Sequence, residues 1–265
     1  MTAACSVVGV SSRDDNEPDR ADFLNAACAV IDRWAQSNPG NVRLRLADTD
    51  DLSALHSLNS DAIMGLGEDG LFMPMPKSFL SEMIRNGIIL LIERGGEPLG
   101  YSVAVPAGRD HPPFIPGPDS GRTGLLFGTA LDQAMRGQGW HLRLIRMRKR
   151  IFSEAGFVSA QSTASPFNSA SLANLMNSGF HVSGLKNLLD GHPRFLLECE
   201  LAFESGQRSE PTGRQRHVLL PKAGNLSDHQ TLLADGLVAT GIRKGQNCTL
   251  IYSRRPEPHS GEPNP

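Results

Sequence analysis

The chain has 265 residues, 39% of them hydrophobic and 20% charged, with a formal net charge of -2. That is length and apolar content enough for one large domain, or one domain with an appendage. The near-neutral balance excludes a global electrostatic pull toward nucleic acid or a membrane surface, so any anion site must be a local basic cluster.

The four cysteines, Cys5, Cys28, Cys199 and Cys248, are scattered and form no CxxC pair. That spacing argues against a zinc site, and no bound metal is expected. Scattered thiols fit a reducing compartment, so a soluble cytoplasmic protein is expected. The first ten residues lack the basic start and long apolar run of a signal peptide. No apolar run, 88–92 included, is long enough to span a bilayer.

In chain order, residues 1–21 lack apolar periodicity and predict a disordered N-terminal tail. Over 22–40, Phe23, Leu24, Ala27, Val30, Ile31 and Trp34 recur at helical spacing, and Asn38-Pro39-Gly40 ends the helix. A half-buried strand is predicted over 42–46, then a helix capped by Asp48 and running through Asn59. Residues 65–76 read as a loop and 77–86 as a helix. Two apolar strands, 88–93 and 99–105, are joined by Arg94-Gly95-Gly96-Glu97, a hairpin signal. The proline-rich stretch 109–121 predicts an irregular loop. There follow a strand over 125–131, a helix from Gly139 through Glu154, a strand over 158–163, a helix over 169–177 and a strand over 195–201. Residues 204–216 have linker composition. A C-terminal extension over 217–255 reads as strand, helix, strand, and 256–265 as a disordered tail.

The chemistry concentrates at a strand-to-helix junction, Leu131-Asp132-Gln133-Ala134-Met135-Arg136-Gly137-Gln138-Gly139-Trp140-His141. Glycines there let a ligand approach the backbone closely. The exposed amides of a helix N-terminus, with its dipole, favour phosphate. The helix that follows carries Arg143, Arg146, Arg148, Lys149 and Arg150. At helical spacing Leu142, Ile145 and Phe152 take the core face, while Arg143, Arg146 and Arg150 share the outer one. No aromatic residues interleave with these basic residues, which speaks against a nucleic-acid patch.

This junction resembles the pyrophosphate loop of the GNAT acyltransferase superfamily, in which an Arg or Gln, two variable residues, Gly, one variable residue and Gly or Ala follow a strand. Arg136 and Gly139 match that pattern. Asn168 stands eleven residues before Gly179-Phe180, as the family often has it. The resemblance implies an α+β fold: a mixed, mostly antiparallel sheet flanked by helices and splayed at the acyl-coenzyme A site. Here it would occupy residues 41–203. It implies an acyl-coenzyme A co-substrate, acetyl-coenzyme A first among the candidates. Backbone groups of Arg136, Gly137, Gln138, Gly139, Trp140 and His141 would meet its pyrophosphate, Leu131 its acyl carbonyl and pantetheine arm, and Asn168 the pantetheine.

Two positions depart from the family pattern. His141 stands where the loop ends on a small residue. Leu175 stands where many relatives carry a tyrosine that protonates the leaving thiolate, although a thiol with a pKa of ~8.5 leaves tolerably without an acid. Direct attack by a neutral amine needs a group to take its proton. The candidates are Asp132, which equally reads as the cap of the turn, and Glu68, which equally reads as a solvated loop charge; His111 is a third. Leu71, Phe72, Met73 and Met75 suggest a small, partly apolar amine as acceptor. A catalytically silent coenzyme A-binding module, and an enzyme acting on a protein amine, remain open alternatives. For the C-terminal extension, sheet extension, a cover over the cleft and homodimer formation remain equally open.

Overall fold

The structure, a computed structural model, describes residues 20–65, 71, 74–108, 110–117, 122–188, 191–201, 215–220, 226–243 and 248–255. The expected tails therefore lie outside the described residues, apart from Arg20 and Ala21, which already belong to the first helix. So does nearly all of the expected linker.

The elements, in order, are α1 (Arg20–Ser37), β1 (Val42–Leu46), α2 (Leu52–Met64), α3 (Lys77–Asn86), β2 (Ile88–Arg94), β3 (Glu97–Pro106), β4 (Thr123–Leu131), α4 (Trp140–Glu154), β5 (Ser159–Ala164), α5 (Ser169–Asn177), β6 (His181–Leu188), β7 (His192–Glu200), β8 (Arg216–Leu219), α6 (Ser227–Ala234), β9 (Leu237–Arg243) and β10 (Thr249–Arg254). The strands form one open sheet in the order β1-β2-β3-β4-β5-β7-β6-β9-β10-β8. All neighbours are antiparallel except β4 and β5. The expected α+β class, a mixed and mostly antiparallel sheet flanked by helices, is the one observed.

Two cores lie on opposite faces of this sheet. α1, α4, α5 and α6 cover one face, with Phe23 stacked on Phe152 at 5.1 Å between ring centroids. α2 and α3 cover the other, over Leu55, Leu80, Met83, Tyr101 and Val103. Gly124 is required where β4 meets α4: a Cβ there would stand 2.5 Å from the Phe152 ring.

Three expectations need correction. Asp48 does cap, but it caps a 3-10 turn over Thr49–Asp51 through a reciprocal capping box, and α2 then runs five residues past Asn59 to Met64. The strands β6 and β9 were not foreseen. Each is interrupted by register shifts and glycines, Gly184 in β6 and Gly241 in β9, which blur the alternation that marks a strand. Arg216, placed in the linker, opens β8. Of the three readings open for the C-terminal extension, its strands take the first: they join β6 through Val182 and Ala239 and lengthen the same sheet.

Candidate acyl-coenzyme A cleft

β4 and β5 begin side by side and then part. They pair only over residues 123–126 and 159–162, while β4 continues to Leu131 and β5 to Ala164. The pairing ends where a bulge lies on the other edge of β4, with Phe127 and Gly128 together opposite Val103 alone. An extra residue bends the bulged strand and raises its twist. The gap opens into a cleft of about 510 Å³.

Most of the residues singled out in the sequence gather there. Leu131, Arg136, Gly137, Gly139, Trp140, His141, Asn168 and Leu175 all line the cleft. Gly137 and Gly139 have φ of 73° and 79° with open space where a Cβ would project, so they supply the left-handed backbone of the loop. Gly139 is the N-cap of α4, and no side chain caps that end. The first-turn amides of this 15-residue helix are thus left for a ligand. The 3-10 turn before it is capped by Asp132, and α5 by Asn168, whose Oδ1 accepts from the Ser171 amide at 2.9 Å.

Side chains hold the loop in place. The Arg136 Nε donates to the Leu131 carbonyl at 3.1 Å. Its guanidinium lies against the end of α2, where a Cβ on Gly65 would stand 2.9 Å from it; a cation there also suits the helix C-terminus. Gln138 turns its amide back onto the Ala134 carbonyl and does not line the cleft. Trp140 is buried against Trp34 of α1, which gives the N-terminal helix a role in seating α4.

The His141 Nδ1 meets the Asn174 amide of α5 at 3.1 Å. Burial, then the nearby Arg148 charge, push its pKa down to about 4, so the ring is neutral near pH 7. Asn59 links α2 to the cleft floor: its Nδ2 donates to the Tyr101 hydroxyl at 2.9 Å and its Oδ1 accepts from the Met75 amide at 3.0 Å.

The catalytic candidates fare differently. The Asp132 Oδ1 accepts from the Ala134 amide at 2.7 Å, and the residue stands outside the cleft lining, so the capping arrangement is the one present. Glu68, with Phe72 and Met73, lies outside the described residues. The His111 ring packs on the lining residue Phe127 and its Nε2 stands 3.3 Å from Glu82; His111 is not itself among the lining residues. Among the described lining residues there is no Asp or Glu.

Two charged cleft residues were not singled out as site residues. Arg148 is 1% exposed. Its Nη1 donates to the Val103 carbonyl at 2.8 Å and the Phe127 carbonyl at 3.0 Å, and its Nη2 to the Thr129 hydroxyl at 3.2 Å. It therefore occupies the carbonyls that the bulge displaces, and burial pulls its pKa down to about 9. The helical spacing held this signal, because Arg148 falls on the same face as Leu144 and Ile151. The second is Arg194 of β7, 5% exposed. No local pattern places it in a cleft formed by distant strands.

The parted β4 and β5 and the glycine loop form the arrangement that the resemblance implies, and the bulge is an addition to it. The fold is an open, mixed, mostly antiparallel sheet flanked by helices.

No family model and no curated protein matches the chain. Solved structures do. An N-acetyltransferase from Staphylococcus aureus Mu50 is 20% identical, covering 61% of this chain and 99% of its own, with a TM-score of 0.49. The yncA protein of Salmonella typhimurium, solved with its cofactor acetyl-CoA, is 14% identical, covering 64% and 99%, with a TM-score of 0.49. The ribosomal-protein-S18-alanine N-acetyltransferase from Escherichia coli is 14% identical, covering 63% and 98%, with a TM-score of 0.47. Among the described residues no helix is long and apolar enough to cross a membrane, and no group of side chains could hold a metal ion.

Proposed function

We propose that the chain binds an acyl-coenzyme A in the cleft beside β4 and transfers the acyl group to the amine of a small molecule. The observation that carries this reading is the uncapped N-terminus of α4, reached through two left-handed glycines, at the mouth of a cleft made by a splayed strand. Backbone amides there suit phosphates, and the positive end of the helix dipole adds to their pull. The unpaired edge of β4 over residues 127–131 offers backbone donors and acceptors to an extended chain, as one strand does to another.

The bound co-substrate would supply an activated thioester. Transfer forms an N–C bond and breaks a C–S bond; the electron pair leaves on sulfur and the amine proton passes to water. Arg148 pins the bulge, and with it the direction in which the amides of β4 face the cleft. Leu175 is apolar and donates no proton to the leaving thiolate.

The test is coenzyme A binding by calorimetry together with thiol release from acetyl-coenzyme A over an amine panel. Binding with turnover supports the reading. Binding without turnover on any amine favours a silent binding module, and no binding overturns both. Leu175→Tyr sharpens this choice. The added ring costs roughly 1–3 kcal/mol where the wall does not yield. An active transferase should gain modestly in turnover, by well under the ~10²-fold at the lower end for acid catalysis, because a thiolate needs little help. A silent module gains nothing.

A further inference from the structure

Where β4 runs on alone past its last pair with β5, over residues 127–131, its one polar side chain is Thr129. Thr129 lines the cleft, and its register partner on β3 is Ser102. Tyr101 and Val103 belong to the core under α2 and α3, so Ser102 turns to the other face, and Thr129 with it. On that face the Arg148 guanidinium of α4 reaches Thr129, and Leu175 of α5 lines the cleft from the same side.

The hydrogen bonds around Thr129 determine where its proton goes. Its Oγ1 accepts from the Arg148 Nη2 at 3.2 Å and stands 2.7 Å from the Ser102 Oγ. Ser102 is 0% exposed, and among the described residues its hydroxyl has that one partner. If Thr129 gave its proton to Ser102, the Ser102 proton would be stranded in the core as an unsatisfied buried donor. Ser102 therefore donates. Both lone pairs of the Thr129 oxygen are then in use as acceptors, and its own O–H is left to donate into the cleft.

This donor is also a strengthened one. Arg148 is buried, and no carboxylate pairs with it among the described residues. Its other bonds go to the backbone carbonyls of Leu144, Val103 and Phe127. The unpaired positive charge bears on the Thr129 oxygen, and a hydroxyl polarised in this way bonds an anion more strongly.

Resting on the acyl-transfer reading above, we propose that Thr129 is a catalytic residue whose hydroxyl meets the coenzyme sulfur as the thioester breaks, with Arg148 as the positioning residue behind it. Thr129 stands two residues, about 7 Å, along the strand from Leu131, where the acyl carbonyl is expected. An acyl chain seated there brings the adjoining sulfur alongside Thr129. The amine nitrogen bonds the acyl carbon, and the C–S bond breaks with its electron pair on sulfur. The Thr129 O–H donates to that thiolate and keeps its proton, while the amine proton passes to water. On β5 the Ser162 hydroxyl is already spent on the Leu126 carbonyl, and Leu175 has no donor to offer.

A thiolate that receives this bond is stabilised over its thiol, so the thiol pKa of bound coenzyme A is the readout. The full chain is saturated with coenzyme A, and the ultraviolet absorbance of the thiolate is followed against pH, less that of the chain alone. Burial holds Tyr101 and Tyr252 above the usual range and pushes Cys199 up to about 11, clear of the window. The bound thiol should ionise about one pH unit or more below its free value of ~8.5, as a hydrogen bond to a charged group implies. Thr129→Val should return it toward the free value and lower turnover of acetyl-coenzyme A about 10-fold, whereas Thr129→Ser should keep the low thiol pKa. Arg148→Met should raise the thiol pKa part of the way, and Arg148→Lys, which keeps the charge, should largely reverse that. A wild-type thiol that ionises at its free value overturns the proposal, even where turnover falls in the valine variant. So does a lowered value that survives Thr129→Val. Where the valine variant fails to fold, the wild-type titration decides alone. Failure of coenzyme A to bind overturns the acyl-transfer reading itself, which normal binding with an unshifted thiol leaves standing.

Discussion

The sheet thins in two places, and only one becomes a cleft. β4 and β5 share four paired positions and then part. β6 and β9 share a single pair, Val182 with Ala239. At the second junction side chains fill the space. His229 of α6 packs on Phe195 and Tyr252, with ring centroids 5.4 and 5.8 Å away. Its Nε2 meets the Leu219 carbonyl at 3.1 Å and its Nδ1 the Tyr252 hydroxyl at 2.9 Å. A carbonyl can only accept, so Nε2 carries the proton and Nδ1 accepts from the tyrosine; both ring nitrogens are used within the protein. At the first junction the polar groups are backbone amides at a helix end, and no side chain caps them. An interrupted sheet thus becomes a site where the nearby helix brings its uncapped N-terminus, and a core where the helix brings side chains.

The largest effect that tests this contrast is on ligand affinity. Gly139→Glu places a carboxylate at the proposed phosphate site and forces a left-handed backbone on a residue that resists it. Coenzyme A affinity measured by calorimetry should fall by on the order of 10²-fold or more, because a like charge replaces a favourable dipole contact. Gly236→Glu is the control. Its φ of 78° and open surroundings match those of Gly139, but it lies at the end of α6, and coenzyme A affinity should not change.

Stability is the next. His229→Phe leaves the Tyr252 hydroxyl and the Leu219 carbonyl without their partner, at a cost of roughly 1–3 kcal/mol for stranded buried groups. Denaturant unfolding should show the loss, with coenzyme A affinity intact. A variant that lost affinity as well would couple the two junctions and break the comparison.

The smallest effect concerns acid. The folded pKa of His141 is depressed to about 4, below the unfolded value of ~6.5. The unfolded chain therefore binds the proton first. The stability this ring contributes is present above pH ~6.5 and is lost as pH falls toward 4. His229, also lowered by burial, acts in the same direction. His141→Gln should flatten the fall in melting temperature over that window, and an unchanged slope would show that the ring titrates normally.

The legibility of the sequence divides along the same line. The glycine loop was readable because its demands are local: left-handed backbone needs Gly137 and Gly139, and an apolar stripe must follow for α4 to pack. The helix over Ser169–Asn177 was readable for the same reason, whereas Asn168, expected at the pantetheine, was not read as its cap. Asp132 was readable as a cap, and the structure gives it that bond. β6 and β9 were not readable, because glycines and register shifts break their alternation.

What the sequence by itself determined is the set of elements whose geometry depends on neighbours three or four residues away, together with the phosphate-suited turn between β4 and α4. Tertiary structure alone decided which strand β4 would leave unpaired, that Arg148 would be buried beneath the bulge, and that Arg194 would line the opposite wall. These depend on packing between segments tens of residues apart. The 3.6-residue and 2-residue periods assign a side chain to a face, and only the assembled sheet determines what stands opposite that face.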